Sequence, residues 1–102
     1  MASALNLVGP HVRKFRTRKG WTQETLARKL QLLGWSISRE SLARLELQAR
    51  RVPDCELVFM AKALGVSLQE LFPKNIKFRQ LGPQFQSGER LSLFPMRGDK
   101  SA

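Results

Sequence analysis

The chain has 102 residues, 42% of them hydrophobic, and its 18 Lys and Arg against eight Asp and Glu give a formal net charge of +10 at pH 7. That is enough apolar material for one small core and too little chain for two domains, and no apolar run approaches the roughly 18 residues of a membrane span. The single cysteine, Cys55, excludes an internal disulfide, and the single histidine, His11, argues against a histidine-built metal site or a catalytic dyad.

Gly9-Pro10 opens the first predicted helix, because a proline in the first turn gives up an N–H that has no helical partner. Val12 and Phe15 line one face, and Gly20 is placed to close the helix as a left-handed cap. Thr22 is the expected N-cap of a second helix, with Glu24 in its positive first turn. Leu26, Ala27, Leu30 and Leu33 then fall on one stripe, and Gly34 stops the helix. Ser38, with Ser36 as a competitor, caps a third. There Arg39, Glu40, Ala43, Arg44 and Leu47 share one arc, and Ser41, Leu42, Leu45 and Glu46 the other. Burying Leu42 and Leu45 therefore turns two arginines and a glutamate outward.

Pro53 opens a fourth helix, whose stripe is Leu57, Val58, Ala61 and Leu64 and whose stop is Gly65. Ser67-Leu-Gln-Glu70 reads as a capping box for a one-turn fifth helix, halted by Pro73. From residue 74 onward Gly82-Pro83, Gly88, Pro95 and Gly98 interrupt any period, which predicts a flexible tail. Within it, Ile76-Lys-Phe-Arg-Gln-Leu81 alternates as a short strand would, or forms no element. The expected organisation is an N-terminal arm at 1–8, an all-α domain of five short helices at 9–73, and a tail or partner-binding segment at 74–102.

The charge is uneven: +8 over residues 1–51, −2 over 52–72 and +4 over 73–102. A basic excess of this size points to a polyanionic partner, nucleic acid before an anionic membrane surface, against the plainer reading of a solvated face. The opening Met1-Ala-Ser-Ala-Leu-Asn lacks a basic stretch followed by an apolar one, so no secretory signal is expected. Together with the lone cysteine, this suits a reducing, cytoplasmic setting. Enzyme chemistry finds no footing: there is no Gly-rich phosphate loop, no usefully spaced carboxylate pair and no nucleophile with a histidine partner.

Two short helices joined by a tight connection, the second presenting a basic face, make a helix-turn-helix arrangement. Arg13-Lys-Phe-Arg-Thr-Arg-Lys-Gly-Trp-Thr-Gln-Glu-Thr-Leu-Ala27 resembles the opening of the phage-repressor, Xre/Cro-type helix-turn-helix domain. Ser38-Arg-Glu-Ser-Leu-Ala-Arg-Leu-Glu46 resembles its recognition helix, and Ala61-Lys-Ala-Leu-Gly-Val-Ser-Leu-Gln-Glu-Leu-Phe72 its closing signature. The resemblance covers residues 9 to 72. It implies a lambda-repressor-like five-helix domain that binds double-stranded DNA, as a homodimer on a two-fold site. It also implies base contacts from Arg39, Glu40 and Arg44, a phosphate contact from Gln23, and a structural ion pair between Arg16 and Glu46.

The chain departs from the family pattern twice. Gln31-Leu-Leu-Gly-Trp-Ser36 lengthens the connection between the second and third helices by five residues, and the second helix is expected to gain a turn. Leu47 and Gln48 stand where the family often has a small polar residue and glycine, in a loop that often meets phosphate.

The chemistry of each side chain leaves choices open. Arg39 and Arg44 suit either guanine edges or phosphate. Glu40 suits a cytosine amino group or an i,i+4 pair with Arg44. Gln23 sits where helix N–H groups attract phosphate, or is an ordinary exposed residue. Lys29, Ser38, Arg50 and Arg51 complete the expected phosphate contacts; Lys14, Arg18, Lys19 and Arg28 are further neutralisers or plain surface charge. The Arg16–Glu46 pair is worth about 3–5 kcal/mol against one-sided removal if buried and about 0–1 if exposed. Trp21 is expected to shield the first helical junction, and Trp35 to pack on the core rather than on DNA or a partner.

The function expected is sequence-specific regulation of transcription, by a repressor that reads the major groove with residues 38–47 and needs no cofactor or metal. The competing expectation is an antitoxin-like interaction module, whose tail binds a protein through Phe78, Leu81, Phe85, Leu91, Leu93 and Phe94. RNA is a weaker third, because aromatic platforms for unstacked bases are missing.

Overall fold

Local signals set the helix ends. In the computed structural model, which describes residues 4–76, the elements are α1 (Gly9–Arg18), α2 (Gln23–Leu33), α3 (Arg39–Glu46), α4 (Asp54–Leu64) and a 3-10 turn at Gln69–Leu71. Thr22 Oγ1 accepts from the Thr25 N–H and Ser38 Oγ from the Ser41 N–H, both at 3.0 Å, so Ser38 rather than Ser36 caps α3. The fifth helix expected from the sequence is the 3-10 turn. Its capping box is formed, with Ser67 N donating to Glu70 Oε1 at 2.8 Å and Glu70 N to Ser67 Oγ at 3.2 Å. Val66 N already closes α4 by bonding Ala61 O at 3.1 Å, and only one tight turn fits between Ser67 and Pro73. From residue 77 onward the tail, with all but the first residue of its alternating stretch and with its apolar anchors from Phe78, lies outside the described residues.

The core gathers Val8, Val12, Leu26, Ala27, Leu30, Ile37, Leu42, Leu45, Met60, Ala61, Leu64 and Leu71. α2 packs on both α3 and α4, while α1 lies across α3, α4 and the 3-10 turn. Two stripe assignments need correction. Leu33 is 40% exposed and Val58 58% exposed, while Met60, absent from the expected stripe, is 1% exposed. Residues 57–61 of α4 are apolar in succession, so periodicity alone does not select the buried face. Packing against α2 and α1 does.

Gln31 to Leu33 continue α2 through the lengthened connection, and Gly34 ends it at φ +110°, which a side chain rarely tolerates. The turn is then held by Gln31 Nε2 donating to Ile37 O at 2.8 Å. Trp35 is half-buried, its ring 6.1 Å from that of Phe59.

Residues 4–8, placed before the domain in the sequence reading, are stitched into it. Asn6 Nδ2 donates to Leu45 O (3.0 Å) and Arg50 O (2.8 Å), and its Oδ1 accepts from Gly9 N (2.8 Å). Leu5 N donates to Gln48 O at 3.0 Å, and Gln48 Nε2 donates back to Asn6 O at 2.9 Å. These bonds hold Gln48 at φ +63°, the left-handed position that the family often gives to glycine. Gly9 packs directly on the end of α3: a Cβ there would lie 2.9 Å from Glu46 O and closer still to Leu45 O.

Candidate nucleic-acid interface

α3 has a buried back and an exposed front. Leu42, Leu45 and Glu46 face inward, and Arg39, Glu40 and Arg44 face solvent. Arg39 Nη2 and Glu40 Oε2 are 3.5 Å apart, and both side chains are largely exposed. Such a pair contributes little to stability, so both groups are free to exchange partners. Glu40 thus pairs with its neighbour, and no ion pair joins it to Arg44 among the described residues.

The back of α3 is anchored through Glu46. Arg16 Nε donates to Glu46 Oε2 at 2.7 Å and Nη2 to Oε1 at 3.0 Å, a two-pronged pair whose side chains are only 10% and 2% exposed. Arg16 Nη1 also donates to Trp21 O at 2.7 Å, and Gln23 Nε2 to Glu46 Oε1 at 3.1 Å. One carboxylate therefore ties α1 and the first residue of α2 to the last residue of α3, and Arg16 adds the α1–α2 turn. Gln23 keeps its second amide hydrogen to donate, beside the N–H groups of the first turn of α2. That arrangement suits an anion.

The remaining phosphate candidates divide. Ser38 spends its oxygen on the cap and keeps a hydroxyl proton to donate. Lys29 is exposed with Nζ 4.6 Å from the Trp21 ring centroid, and Arg51 is exposed with no ion pair among the described residues. Arg50 differs from its expected place at a phosphate. Its Nη2 donates to Glu56 Oε1 at 2.7 Å and its Nη1 to Ser41 Oγ at 3.1 Å, with both charged side chains mostly buried. The guanidinium is thus occupied in joining α3 to α4.

Sequence reasoning missed Asn6, Gly9 and Glu56 as supports of this surface. Gly9-Pro10 marked only a helix start. Asn6 bonds carbonyls 39 and 44 residues away, and no spacing rule reaches that far. Among the described residues no group of three or more His, Cys, Asp or Glu is placed to hold a metal ion, and no helix is long and apolar enough to cross a membrane.

Comparison with known proteins places this geometry. A helix-turn-helix family model matches residues 12–71. Among solved structures, the restriction-modification controller protein C.AhdI from Aeromonas hydrophila is 32% identical with a TM-score of 0.58, over 67% of this chain and 96% of that one. A hypothetical transcription factor, NHTF from Neisseria, is 30% identical with a TM-score of 0.57, over 89% of this chain and 85% of its own. The DNA-binding domain of BldD is 27% identical with a TM-score of 0.58, over 72% of this chain and all of that domain. No curated protein sequence gives a significant match. With more than half of its length matched and the α2–turn–α3 unit formed, the chain belongs to the Xre/Cro-type helix-turn-helix family, a family of DNA-binding transcriptional regulators.

Proposed function

We propose that this DNA-binding regulator acts as a repressor in the cytoplasm, binding duplex DNA as a homodimer with α3 in the major groove. One observation carries the reading: the front of α3 offers Arg39, Glu40 and Arg44 to solvent while its back is fixed by the buried Arg16–Glu46 pair. A recognition helix must hold its side chains in register with base edges, and a rigid back supplies that. The Arg39 and Arg44 forks match the two major-groove acceptors of guanine, and Glu40 matches the amino group of cytosine. Gln23, Ser38, Lys29 and Arg51 take phosphates, which position the helix without specifying sequence. Arg50 is left out because its guanidinium is mostly buried and paired with Glu56.

Selection from random duplex DNA at physiological salt, with excess nonspecific competitor, tests the reading. A dimer enriches a two-fold site with half-site centres about 10 bp apart, one turn of about 34 Å. Steeply salt-dependent binding without enrichment would leave only the nonspecific affinity of a cationic protein and would refute sequence reading.

A further inference from the structure

Two lysines converge on one indole at the corner between α1 and α2. Lys19 Nζ lies 5.2 Å and Lys29 Nζ 4.6 Å from the Trp21 ring centroid. Both lysines are exposed, and neither has an acidic partner among the described residues. The platform beneath them is fixed. Trp21 N donates to Arg16 O at 3.2 Å, Trp21 O accepts from Arg16 Nη1 at 2.7 Å, and the ring packs against the buried core. The two ammonium groups therefore lie within about 10 Å of each other, the Debye length at 0.1 M salt. Like charges at that distance repel. The ring's negative face offsets part of the repulsion, and an anion would offset the rest.

We infer that Lys19, Trp21 and Lys29 form a clamp for the DNA backbone, in which the indole holds two ammonium groups ready for phosphodiester oxygens. The inference rests on the DNA-binding reading above and adds Lys19 and the aromatic platform to it. The clamp carries affinity and no sequence preference, because every phosphodiester presents the same oxygens. It lies one turn-residue before the Thr22 cap of α2, so a backbone that reaches Gln23 passes close to it. Trp21 serves the clamp by restricting two flexible side chains before DNA arrives.

The test uses the full chain carrying Trp35→Phe, which leaves Trp21 as its sole tryptophan. A short mixed-sequence duplex bearing a fluorescent label reports binding by anisotropy, while indole emission reports the clamp. Titrations run from about 50 to 200 mM salt. The Trp21 emission should change on saturation. Lys19→Ala and Lys29→Ala should each flatten the slope of log K against log salt by about 0.9, and the double variant by about twice that. Lys62→Ala, in the last turn of α4, should leave the slope unchanged. Trp21→Leu, with both lysines retained, should keep the slope and weaken binding about two- to five-fold. Binding that persists with unchanged slopes in the lysine variants and a silent Trp21 overturns the clamp alone. No binding by the unsubstituted protein under any of these conditions overturns the DNA-binding reading as well.

Discussion

Replacing Glu46 with alanine would strand a buried guanidinium. Arg16 Nε and Nη2 would lose acceptors at 2.7 and 3.0 Å, and Gln23 would lose its own at 3.1 Å. The Arg16 side chain is 10% exposed, so water reaches little of the charge left behind. Breaking a buried pair from one side costs about 3–5 kcal/mol, against about 0–1 for an exposed one. A small domain has about 5–15 kcal/mol in total, so the larger figure would leave Glu46→Ala near its unfolding threshold. Arg16→Met with Glu46→Leu removes both charges and keeps most of the volume. The Trp21 carbonyl then lacks its donor at a cost of about 1 kcal/mol, so the double variant should recover most of the loss. Urea unfolding followed by circular dichroism at neutral pH, on Glu46→Ala and on the double variant, measures both losses. A Glu46→Ala loss below about 1 kcal/mol would show that solvent screens the pair and would refute the reasoning. A double variant no better than Glu46→Ala would show that shape, not charge, sets the cost.

Gly9→Ala should lower stability on the order of 1–3 kcal/mol, because its Cβ meets backbone oxygens of Leu45 and Glu46 that cannot move without parting α1 from α3; an unchanged thermal midpoint would count against that contact. Asn6→Ala should cost about 1–3 kcal/mol by taking the side-chain partner from Gly9 N and Arg50 O and leaving Leu45 O with Gln48 N alone, read from the same urea curves. The Glu70 carboxyl should titrate below the ordinary glutamate range, since backbone and then side-chain hydrogen bonds from Ser67 favour its charged form. Its contribution to stability is present above the unfolded glutamate value near 4.3 and fades as pH falls through the lowered one. Carboxyl NMR titration checks the direction, and an equal titration in Ser67→Ala would remove the Ser67 hydroxyl as a cause and leave its backbone N–H. Arg39→Ala and Arg44→Ala should each relax the preference at one base pair by about 1–3 kcal/mol in competition with altered sites. An equal loss on every sequence would move that arginine to phosphate.

Features that depend on near neighbours along the chain are legible in the sequence. The caps at Thr22 and Ser38, the Ser67–Glu70 box, and the helix stops at Gly20, Gly34 and Gly65 all rest on bonds spanning a few residues, so a local pattern reveals them. It also separated the two arcs of α3, because Leu42 and Leu45 alone fix which side is buried. The Arg16–Glu46 relation came from likeness to a family rather than from spacing. Tertiary structure decided everything that distance along the chain conceals. It chose Met60 over Val58 where five apolar residues follow one another, drew Asn6 onto carbonyls at the end of α3 and just after it, and occupied Arg50 with Glu56 instead of leaving it to solvent. Each of those outcomes depends on which helix lies against which. That is settled only when the three-dimensional core forms and buried polar groups must find partners.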